Sequence, residues 1–406
     1  MPGIEGIRGL GCMAVAVGHV VEMNAFGTAT NMKLWVLGSA LVLFFAASGF
    51  LLYLQFLVRF LSGAPRPDFV RYTSRRFFRI FPGYVVIFLL ANFVLQTVYV
   101  QNQLLAKQEQ IETGVPLVGV GMITDPGMFL TNLTLTQTYL PAYIQTGVNP
   151  SWSLTLELAF YFTLPLFALL IWWLRDNTRW NPIAIAIVPP AVLIVVSSVS
   201  KFVADRLSAA HGGIGDPENA FGPTWLAVLT RSILVLGDNF GVGMLAAVVY
   251  AALFLGKMPR LRLMPLRVGM LALIVACVPL WLITRSAATR FDTSVIAIMC
   301  FAVLIFVTVP HARGVASPFA DFCDNRFFYR LGTISMSVYL WHYPVLLLMR
   351  RWGWYGDDTV TGMLLSLLPV LVICLFLSEI TYRLVEAPGM RLQFRKNDSG
   401  QWRIVG

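Results

Sequence analysis

Ten long apolar segments separated by shorter polar ones organise this chain. Their lengths of about 17 to 25 residues match the helix that crosses a hydrocarbon core ~30 Å thick. The apolar positions run continuously instead of alternating, which predicts helices rather than the strands of a membrane barrel. The predicted spans are residues 6–24, 34–58, 82–100, 153–174, 182–200, 236–256, 268–284, 293–309, 331–349 and 361–382. A shorter piece, 222–234, is predicted to be interfacial or re-entrant. The predicted fold class is all-α, a polytopic membrane protein with about ten transmembrane helices in one bundle.

Composition and charge agree with this pattern. Hydrophobic residues make up 57% of the 406 residues and charged residues only 12%, against about 25% charged in average soluble domains. The net charge of +10 would suit nucleic acid, but 21 of the 30 Lys and Arg residues fall in alternate loops. That distribution follows the positive-inside rule, so we predict no nucleic-acid binding and place both termini in the cytoplasm. The longest loop, residues 101–150, is then extracytoplasmic, with its 128–140 part packed over the bundle mouth.

The first segment carries two ionisable residues on one predicted helix face. Ten residues separate Arg8 from His19, which places the two side chains on the same side and about 16 Å apart along the axis. Arg8 would lie at a membrane surface and His19 near the midplane, where an ionisable residue is costly and suggests function. The imidazole could act as a general base or carry an acyl group covalently, and Arg8 could help position it. The alternative is a histidine that is only packed and hydrogen-bonded.

A basic stretch at residues 71–82 precedes the third predicted span. Arg71, Arg75 and Arg79 recur every four residues and form one helical stripe, with Arg76 beside it. The cluster is either a solvated positive-inside group or a phosphate site, because guanidinium forks bind phosphates in a bidentate manner. In the second interpretation the ligand is a polyanionic donor such as acyl-coenzyme A.

Other polar residues lie inside the apolar segments. Ser153, Glu157 and Tyr161 share one face at four-residue spacing, and a carboxylate at that depth must be paired, protonated or facing water. Glu157 either stabilises the fold by meeting an arginine or tunes His19. The roles left open by the sequence are those of Asp238, His342 and Glu379. The five cysteines show no metal-site spacing, so they are predicted to be small core residues and no metal is predicted.

Together these motifs resemble the acyltransferase 3 family of integral membrane acyltransferases, over residues 3–388. Each motif is weak alone, but six in the right order on predicted helices are specific. The matching stretches are residues 4–10 with His19, residues 44–51 with Ser48, residues 75–82, residues 152–154 with Glu157 and Tyr161, residues 339–342, and residues 386–388.

The resemblance implies an enzyme of the bacterial plasma membrane. Its members pass an acyl group, usually acetyl, from cytoplasmic acyl-coenzyme A to a hydroxyl of an envelope saccharide or glycolipid. It implies catalytic roles for Arg8 and His19, with Glu157 as a further candidate. The residues expected near the acetyl-coenzyme A co-substrate are Ser48, Tyr72, Arg75, Arg76 and Arg79. Small actinobacterial members modify mycolyl glycolipids such as trehalose monomycolate, so a mycobacterial-type acceptor is one expectation.

The predicted domain organisation is one acyltransferase domain at residues 1–390 and a short basic cytoplasmic tail at 391–406. Many family members add an extracytoplasmic esterase domain of the SGNH type, which we do not expect here. The enzyme would then transfer directly to its acceptor, or through a separate extracytoplasmic partner, with membrane lipid around it. The alternative function is a lipid-linked saccharide transporter or flippase, which would not need a donor-specific arginine stripe. An acyltransferase requires His19 to be reachable from both sides of the membrane.

Overall fold

The computed structural model describes residues 1–396 and 402–405, most of which form a bundle of long apolar helices. Within these residues, nine helices are long and apolar enough to cross a membrane. The count is ten if the helices Arg326–Thr333 and Ser335–Arg351, which meet at an angle of 72°, form one broken span. The predicted all-α class with about ten spans is confirmed.

The helices follow one another with short connections. In the first half of the chain they are α1 (Ile4–Asn24), α2 (Phe26–Asn31), α3 (Leu41–Leu61), α4 (Phe69–Leu89), α5 (Gln103–Thr113), α6 (Pro126–Leu133), α7 (Trp152–Asn177) and α8 (Pro182–Ala210). In the second half they are α9 (Glu218–Phe221), α10 (Trp225–Thr230), α11 (Ile233–Phe254), α12 (Leu263–Ser286), α13 (Phe291–Ala312), α14 (Pro318–Cys323), α15 (Arg326–Thr333), α16 (Ser335–Arg351), α17 (Val360–Thr381) and α18 (Ala387–Gly389).

Shorter elements join or extend these helices. The 3₁₀ turns are Leu34–Ala40, Gln137–Tyr139 and Asn149–Ser151, and the π-helical turns are Leu90–Leu95 and Tyr382–Glu386. The strands are β1 (Val98–Tyr99), β2 (Val120–Gly121), β3 (Gln393–Lys396) and β4 (Trp402–Val405). β1 pairs antiparallel with β2, and β3 pairs antiparallel with β4. We call the end of the bundle covered by residues 101–150 the outer end and the end that carries Arg8 the inner end.

The third span begins earlier than predicted. α4 starts at Phe69, so the predicted start at residue 82 was late by about three and a half turns. Asp68 caps the helix by accepting a hydrogen bond from the Arg71 N–H at 3.0 Å. Pro82 lies inside the helix, where spanning helices tolerate it. The arginine-rich stretch is therefore part of the span and not a loop before it.

Two glycines let α3 and α11 pack closely. A Cβ on Gly49 would overlap the Phe240 carbonyl oxygen, and a Cβ on Gly243 would overlap the carbonyl oxygen of Ala46. Because a backbone atom cannot move aside as a flexible side chain can, neither position accommodates a larger residue. The glycine of the motif at residues 44–51 is thus explained by helix packing, next to the polar Ser48.

The long loop at residues 101–150 is structured and fixed to the bundle. The Tyr84 hydroxyl donates to the Asn132 carbonyl oxygen at 2.6 Å, and the Ile123 N–H donates to the Asn92 side chain at 2.7 Å. Both Asn92 and Asn132 are fully buried. The predicted packing of residues 128–140 over the bundle mouth agrees with these contacts.

The tail folds back on α4. β3 and β4 form a hairpin, and the Phe394 N–H donates to the Ser74 hydroxyl at 3.2 Å. The Phe394 ring lies 5.6 Å from that of Phe78. Of the predicted tail at 391–406, residues 397–401 and 406 lie outside the described residues. The described part of the tail is thus a hairpin that packs against α4.

Two of the acidic residues whose roles the sequence left open form ion pairs with cationic side chains. Asp238 on α11 forms an ion pair at 2.6 Å with Lys201 on α8, and both side chains are almost completely buried. Glu379 on α17 accepts from Arg330 and Arg383, each at 2.5 Å. These pairs tie helices together and account for both carboxylates. All five cysteines are free and buried, as predicted for core residues.

Candidate active site

The first helix meets α16 at a pair of histidines. Nδ1 of His19 lies 2.8 Å from Nε2 of His342, and the two rings are nearly parallel, with 5° between their planes. His342 is fully buried, whereas His19 is partly exposed. The sequence suggested Arg8 as the group that helps position His19. The structure gives this place to His342.

The hydrogen bonds fix the tautomers of both neutral rings. Nδ1 of His342 lies 3.3 Å from the carbonyl oxygen of Val338. A carbonyl can only accept, so Nδ1 of His342 carries the hydrogen and Nε2 of that ring is the acceptor. The hydrogen between the rings then belongs to Nδ1 of His19. Nε2 of His19 is left with a lone pair, which is the arrangement of a general base held by a second ring.

An outer cavity of about 510 Å³ adjoins His19. It lies under the loop at residues 101–150, which contributes Gln103 and Lys107 to its wall. Glu22, one turn beyond His19 on α1, faces the same space. Volumes of ~300–1,000 Å³ are usual for sites that hold small ligands. His19 is therefore accessible from the outer end, while His342 lies behind it.

Two smaller chambers continue from this cavity toward the inner end. The middle chamber, of about 60 Å³, shares Leu41 and Tyr339 with the outer cavity and is lined by Arg8, Arg79 and Glu157. The inner chamber, of about 170 Å³, is also lined by Arg8 and Arg79. The three spaces are stacked with shared wall residues and are called the column below, and His19 lines only the outer one.

Arg8 does not contact His19. Its guanidinium pairs with Glu5 at 3.1 Å and lies 3.4 Å from the Ser335 hydroxyl, at the inner end of the column. The two residues share a helix face as predicted, but about 16 Å of helix rise separates them. Arg8 therefore lines the two chambers below the histidine pair, and the structure provides no direct contact through which it would position the imidazole.

Glu157 is held by two hydroxyls. It accepts from Tyr161 at 2.6 Å and from Ser48 at 3.0 Å, and it lines the middle chamber. The sequence predicted a contact with an arginine or with His19. The structure provides neither as a hydrogen bond, although Arg79 shares the chamber. Ser48, which is expected near the donor, thus contacts Glu157 in the wall of the middle chamber.

The arginine stripe divides between two surfaces. Arg75 is exposed, while Arg76 and Arg79 are partly buried on the inward face of α4 together with the buried Tyr72. Tyr72, Arg75 and Arg76 line a separate arginine cavity of about 460 Å³ at the inner end, whereas Arg79 lines the column. The inward face is thus formed by positions 72, 76 and 79, and not by the predicted stripe of 71, 75 and 79.

The arginine cavity contains polar atoms without a protein partner. Within residues 1–396 and 402–405, the Tyr72 hydroxyl and Nε of Arg76 are buried and form no hydrogen bond. Such donors are destabilising unless something accepts from them. A phosphate-bearing ligand would supply acceptor oxygens for both.

One further cation was not singled out from the sequence. Arg231 lies in the break between α10 and α11 and lines the outer cavity together with His19. The one sequence feature that could have indicated Arg231 as a site residue is that it is the single arginine in the apolar stretch at residues 222–256. The sequence identified His342 as a second histidine in a membrane segment, but it could not show that His19 is its partner.

No metal site occurs among the residues that the structure describes, since no three His, Cys, Asp or Glu side chains there are grouped to hold an ion.

The predicted catalytic set is brought to one column, with His19 at its outer cavity and Arg8 and Glu157 below. The predicted donor set splits between this column and the arginine cavity.

Known proteins match nearly the whole chain. The model of the acyltransferase 3 family, described as an acyltransferase domain, matches residues 1–382. The acyltransferase MdmB of Streptomyces mycarofaciens is 24% identical over 409 residues, covering 98% of this chain and 93% of MdmB. The O-acetyltransferase OatA of Staphylococcus aureus (strain NCTC 8325 / PS 47) is 22% identical, covering 97% of this chain and 58% of OatA. No solved structure gives a significant match. The chain belongs to the acyltransferase 3 family, and with its many apolar helices it is a multi-pass membrane acyltransferase.

Proposed function

We propose that this protein is an O-acyltransferase of the bacterial plasma membrane, with both termini in the cytoplasm. It moves an acyl group, preferably acetyl, from cytoplasmic acyl-coenzyme A to a hydroxyl of an envelope saccharide or glycolipid. The observation that carries the proposal is the histidine pair, because it leaves Nε2 of His19 as a base beside a ligand-sized cavity. The names of the relatives, acyltransferase MdmB and O-acetyltransferase OatA, support acyl transfer and acetyl transfer to oxygen, respectively.

The proposed step needs only one proton carrier. Nε2 of His19 takes the proton of the acceptor hydroxyl while its oxygen attacks the thioester carbonyl. The new C–O bond forms, the C–S bond breaks, and the proton passes from His19 to the leaving thiolate. The products are an acyl ester and the thiol of coenzyme A. His342 is a positioning residue that holds the ring and shares the transient positive charge through the 2.8 Å bond. General-base catalysis of this kind contributes about 10²–10⁴-fold.

The donor occupies the inner end in this proposal. Its phosphates bind in the arginine cavity, where Arg75 and Arg76 supply charge and Tyr72 a hydroxyl. The arginine cavity shares no wall residue with the column, so the thioester arm has to leave that cavity and enter the column beside Arg79 and Arg8. Two findings support this placement, namely the unsatisfied polar atoms of Tyr72 and Arg76 and the position of Arg79 in the column.

The proposal is tested by acetyl transfer from labelled acetyl-coenzyme A in proteoliposomes that contain envelope glycolipid. His19→Ala should lose at least about 10²-fold of the activity. His311→Ala is the matched control, because His311 bonds to Tyr250 and lies away from the column. Undiminished transfer by His19→Ala would remove the mechanism. A transporter without acyl transfer would give no labelled ester with any variant, including the wild type.

A further inference from the structure

We propose that the wall of the outer cavity at Arg231 is an anion site, and that the acceptor carries a carboxylate or phosphate group besides the hydroxyl that is acylated. The inference rests on the proposed function for one statement, that the acceptor enters this cavity. It adds a negative charge to the acceptor, which the proposed function leaves open. The observation behind it is a cation in the cavity wall that no acid of the described chain balances.

The guanidinium of Arg231 is held between two aromatic rings. Its central carbon lies 4.0 Å from the centre of the Phe221 ring and 4.3 Å from that of Trp152. Nε donates to the Ala220 carbonyl oxygen at 2.9 Å. In the described part of the chain this carbonyl is the only hydrogen-bond partner of Arg231. The rings attract the cation and fix its plane, but they do not neutralise its charge, and both Nη groups remain for a ligand.

A neighbouring arginine shows what a balanced cation looks like in this part of the bundle. Arg290 donates to the carbonyl oxygen of Asn219, the residue before Ala220, and it forms an ion pair with Asp205 at 2.6 Å. Arg231 forms no ion pair with any residue that the structure describes. A cation in a membrane-spanning segment is costly when it has no counter-charge. The missing counter-charge of Arg231 therefore has to come from a bound molecule.

The other charged residues of the cavity wall do not supply it. Glu22 and Lys107 are both exposed and of opposite charge, so they cancel in the net charge of the wall and are screened by water. With His19 neutral, the described wall keeps the single positive charge of Arg231. An anionic ligand would bring the wall to neutrality, whereas a neutral ligand would leave the cation unbalanced.

A second group in the wall also lacks an acceptor. Gln145 lines the cavity and is only 3% exposed. Its Oε1 accepts from Nδ2 of Asn149 at 3.1 Å, which leaves Nε2 as the free donor. Nε2 of Gln145 is buried and has no partner among the residues described. A buried donor without a partner is destabilising unless a ligand accepts from it, and the oxygens of an acid group are the stronger acceptors.

Calorimetric titration of the protein in detergent tests the anion site without chemistry. Saturating coenzyme A is present, so that the arginines at the inner end are occupied in every titration. The carboxylate arm compares hexyl β-D-glucuronide with its neutral amide, hexyl β-D-glucuronamide. The phosphate arm compares hexyl β-D-glucoside 6-phosphate with hexyl β-D-glucoside. In at least one arm the wild type should bind the anion at least about tenfold more tightly than its neutral partner, and the larger preference identifies the acid group.

Variants of Arg231 assign the preference to this side chain. Arg231→Met keeps an apolar chain between the two rings and should reduce the preference to within about twofold. Its affinity for the neutral probes should stay within about twofold of the wild type, which shows that the cavity is intact. Arg231→Lys restores the charge without the fork and should recover part of the preference. Arg206→Met is the matched control, since Arg206 also lies over a ring, that of Phe202, but is exposed and outside the cavity.

Equal binding of the anionic and neutral probes by the wild type in both arms would overturn the inference. A preference that Arg231→Met retains in full would also overturn it. Labelled acetyl transfer to envelope glycolipid, measured in parallel, tests the proposed function separately. A preference for the anion without any such transfer would support the anion site and contradict the proposed function. Transfer together with equal binding would remove the anion site and leave the proposed function standing.

Discussion

His342 holds His19 at 2.8 Å, although the two residues are 323 positions apart in the sequence. The bond joins α16 to α1 near the middle of the bundle, and the Val338 carbonyl behind His342 selects the tautomer of both rings. A single backbone oxygen thus determines which nitrogen of His19 carries the lone pair.

Replacing His342 should slow the reaction without weakening binding of the donor. We expect His342→Ala to lower kcat, because His19 loses both its orientation and the acceptor for its Nδ1 hydrogen. His342→Gln should recover part of kcat, since an amide oxygen can accept the same hydrogen. The measurement is kcat and KM for acetyl-coenzyme A in proteoliposomes. Equal rates for the Ala and Gln variants would contradict the hydrogen-bond role.

Arginines on the inward face of α4 should matter more for donor affinity than their exposed neighbour. Charged hydrogen bonds contribute about 1.5–3 kcal/mol, which is roughly 10–100-fold in Kd. We expect Arg76→Ala and Arg79→Ala each to weaken coenzyme A binding by that factor, and Arg75→Ala to weaken it less. Arg383→Ala serves as the control, because Arg383 is an exposed cation paired with Glu379. Equal losses for Arg75→Ala and Arg79→Ala, measured by titration, would contradict the division of the stripe.

The buried pair of Lys201 and Asp238 should be needed as a pair. Lys201→Met leaves the buried carboxylate of Asp238 without a cation and with the Ser294 hydroxyl as its side-chain donor, so we expect a loss of about 3–5 kcal/mol in unfolding free energy. The double variant Lys201→Met with Asp238→Leu should recover most of that loss. The pair of Arg66 and Asp176, at 3.4 Å and with both side chains about half exposed, is the control, and breaking it should cost about 0–1 kcal/mol. Thermal unfolding in detergent gives the comparison, and additive single losses would contradict the coupling.

Close approach of α3 and α11 should make Gly243 intolerant of a side chain. Gly243→Ala places its Cβ on the Ala46 carbonyl oxygen, and we expect destabilisation of about 1–3 kcal/mol. Gly269 in α12 is a matched control, since a Cβ there would meet nothing within 4 Å. Gly269→Ala should be neutral or stabilising by up to about 1 kcal/mol, because alanine favours the helix. Similar melting temperatures for the two variants would count against the packing.

Acid should release a contact at the outer surface. The carboxylate of Asp358 accepts from the N–H groups of Thr28 and Gly27, each at 2.8 Å, and these bonds, the one from Thr28 foremost, lower its pKa. A lowered folded-state pKa means that the contact is stabilising above the ordinary aspartate value near pH 4 and is lost as the pH falls through the lowered value. Hydrogen exchange at Gly27 and Thr28, corrected for the intrinsic rate, should accelerate only below about pH 4. Asp358→Asn should remove this pH dependence, and an unchanged profile in that variant would contradict the assignment.

Several features of the protein followed from the sequence alone. Continuous apolar runs require helices in a membrane, because backbone groups there must be satisfied within one segment. The spacing of Arg8 and His19 fixed their common face, since helix geometry is local. Helix geometry likewise predicted that Arg75, Arg76 and Arg79 lie close together on one helix. The start of that helix was predicted too late, because charged residues lower the hydropathy of its first turns.

Only the tertiary structure decided which distant groups meet. The partner of His19 is His342 rather than Arg8, Glu157 is held by Ser48 and Tyr161, and Arg231 shares the cavity of the histidine pair. Each of these contacts joins different helices or places a side chain in a space between them. Periodicity fixes the faces of a single helix, but the rotation and depth of one helix against another depend on packing around the whole bundle. The residue types and helix faces of the site could therefore be predicted from the sequence. Which of these residues contact one another was decided only by the packing of the helices.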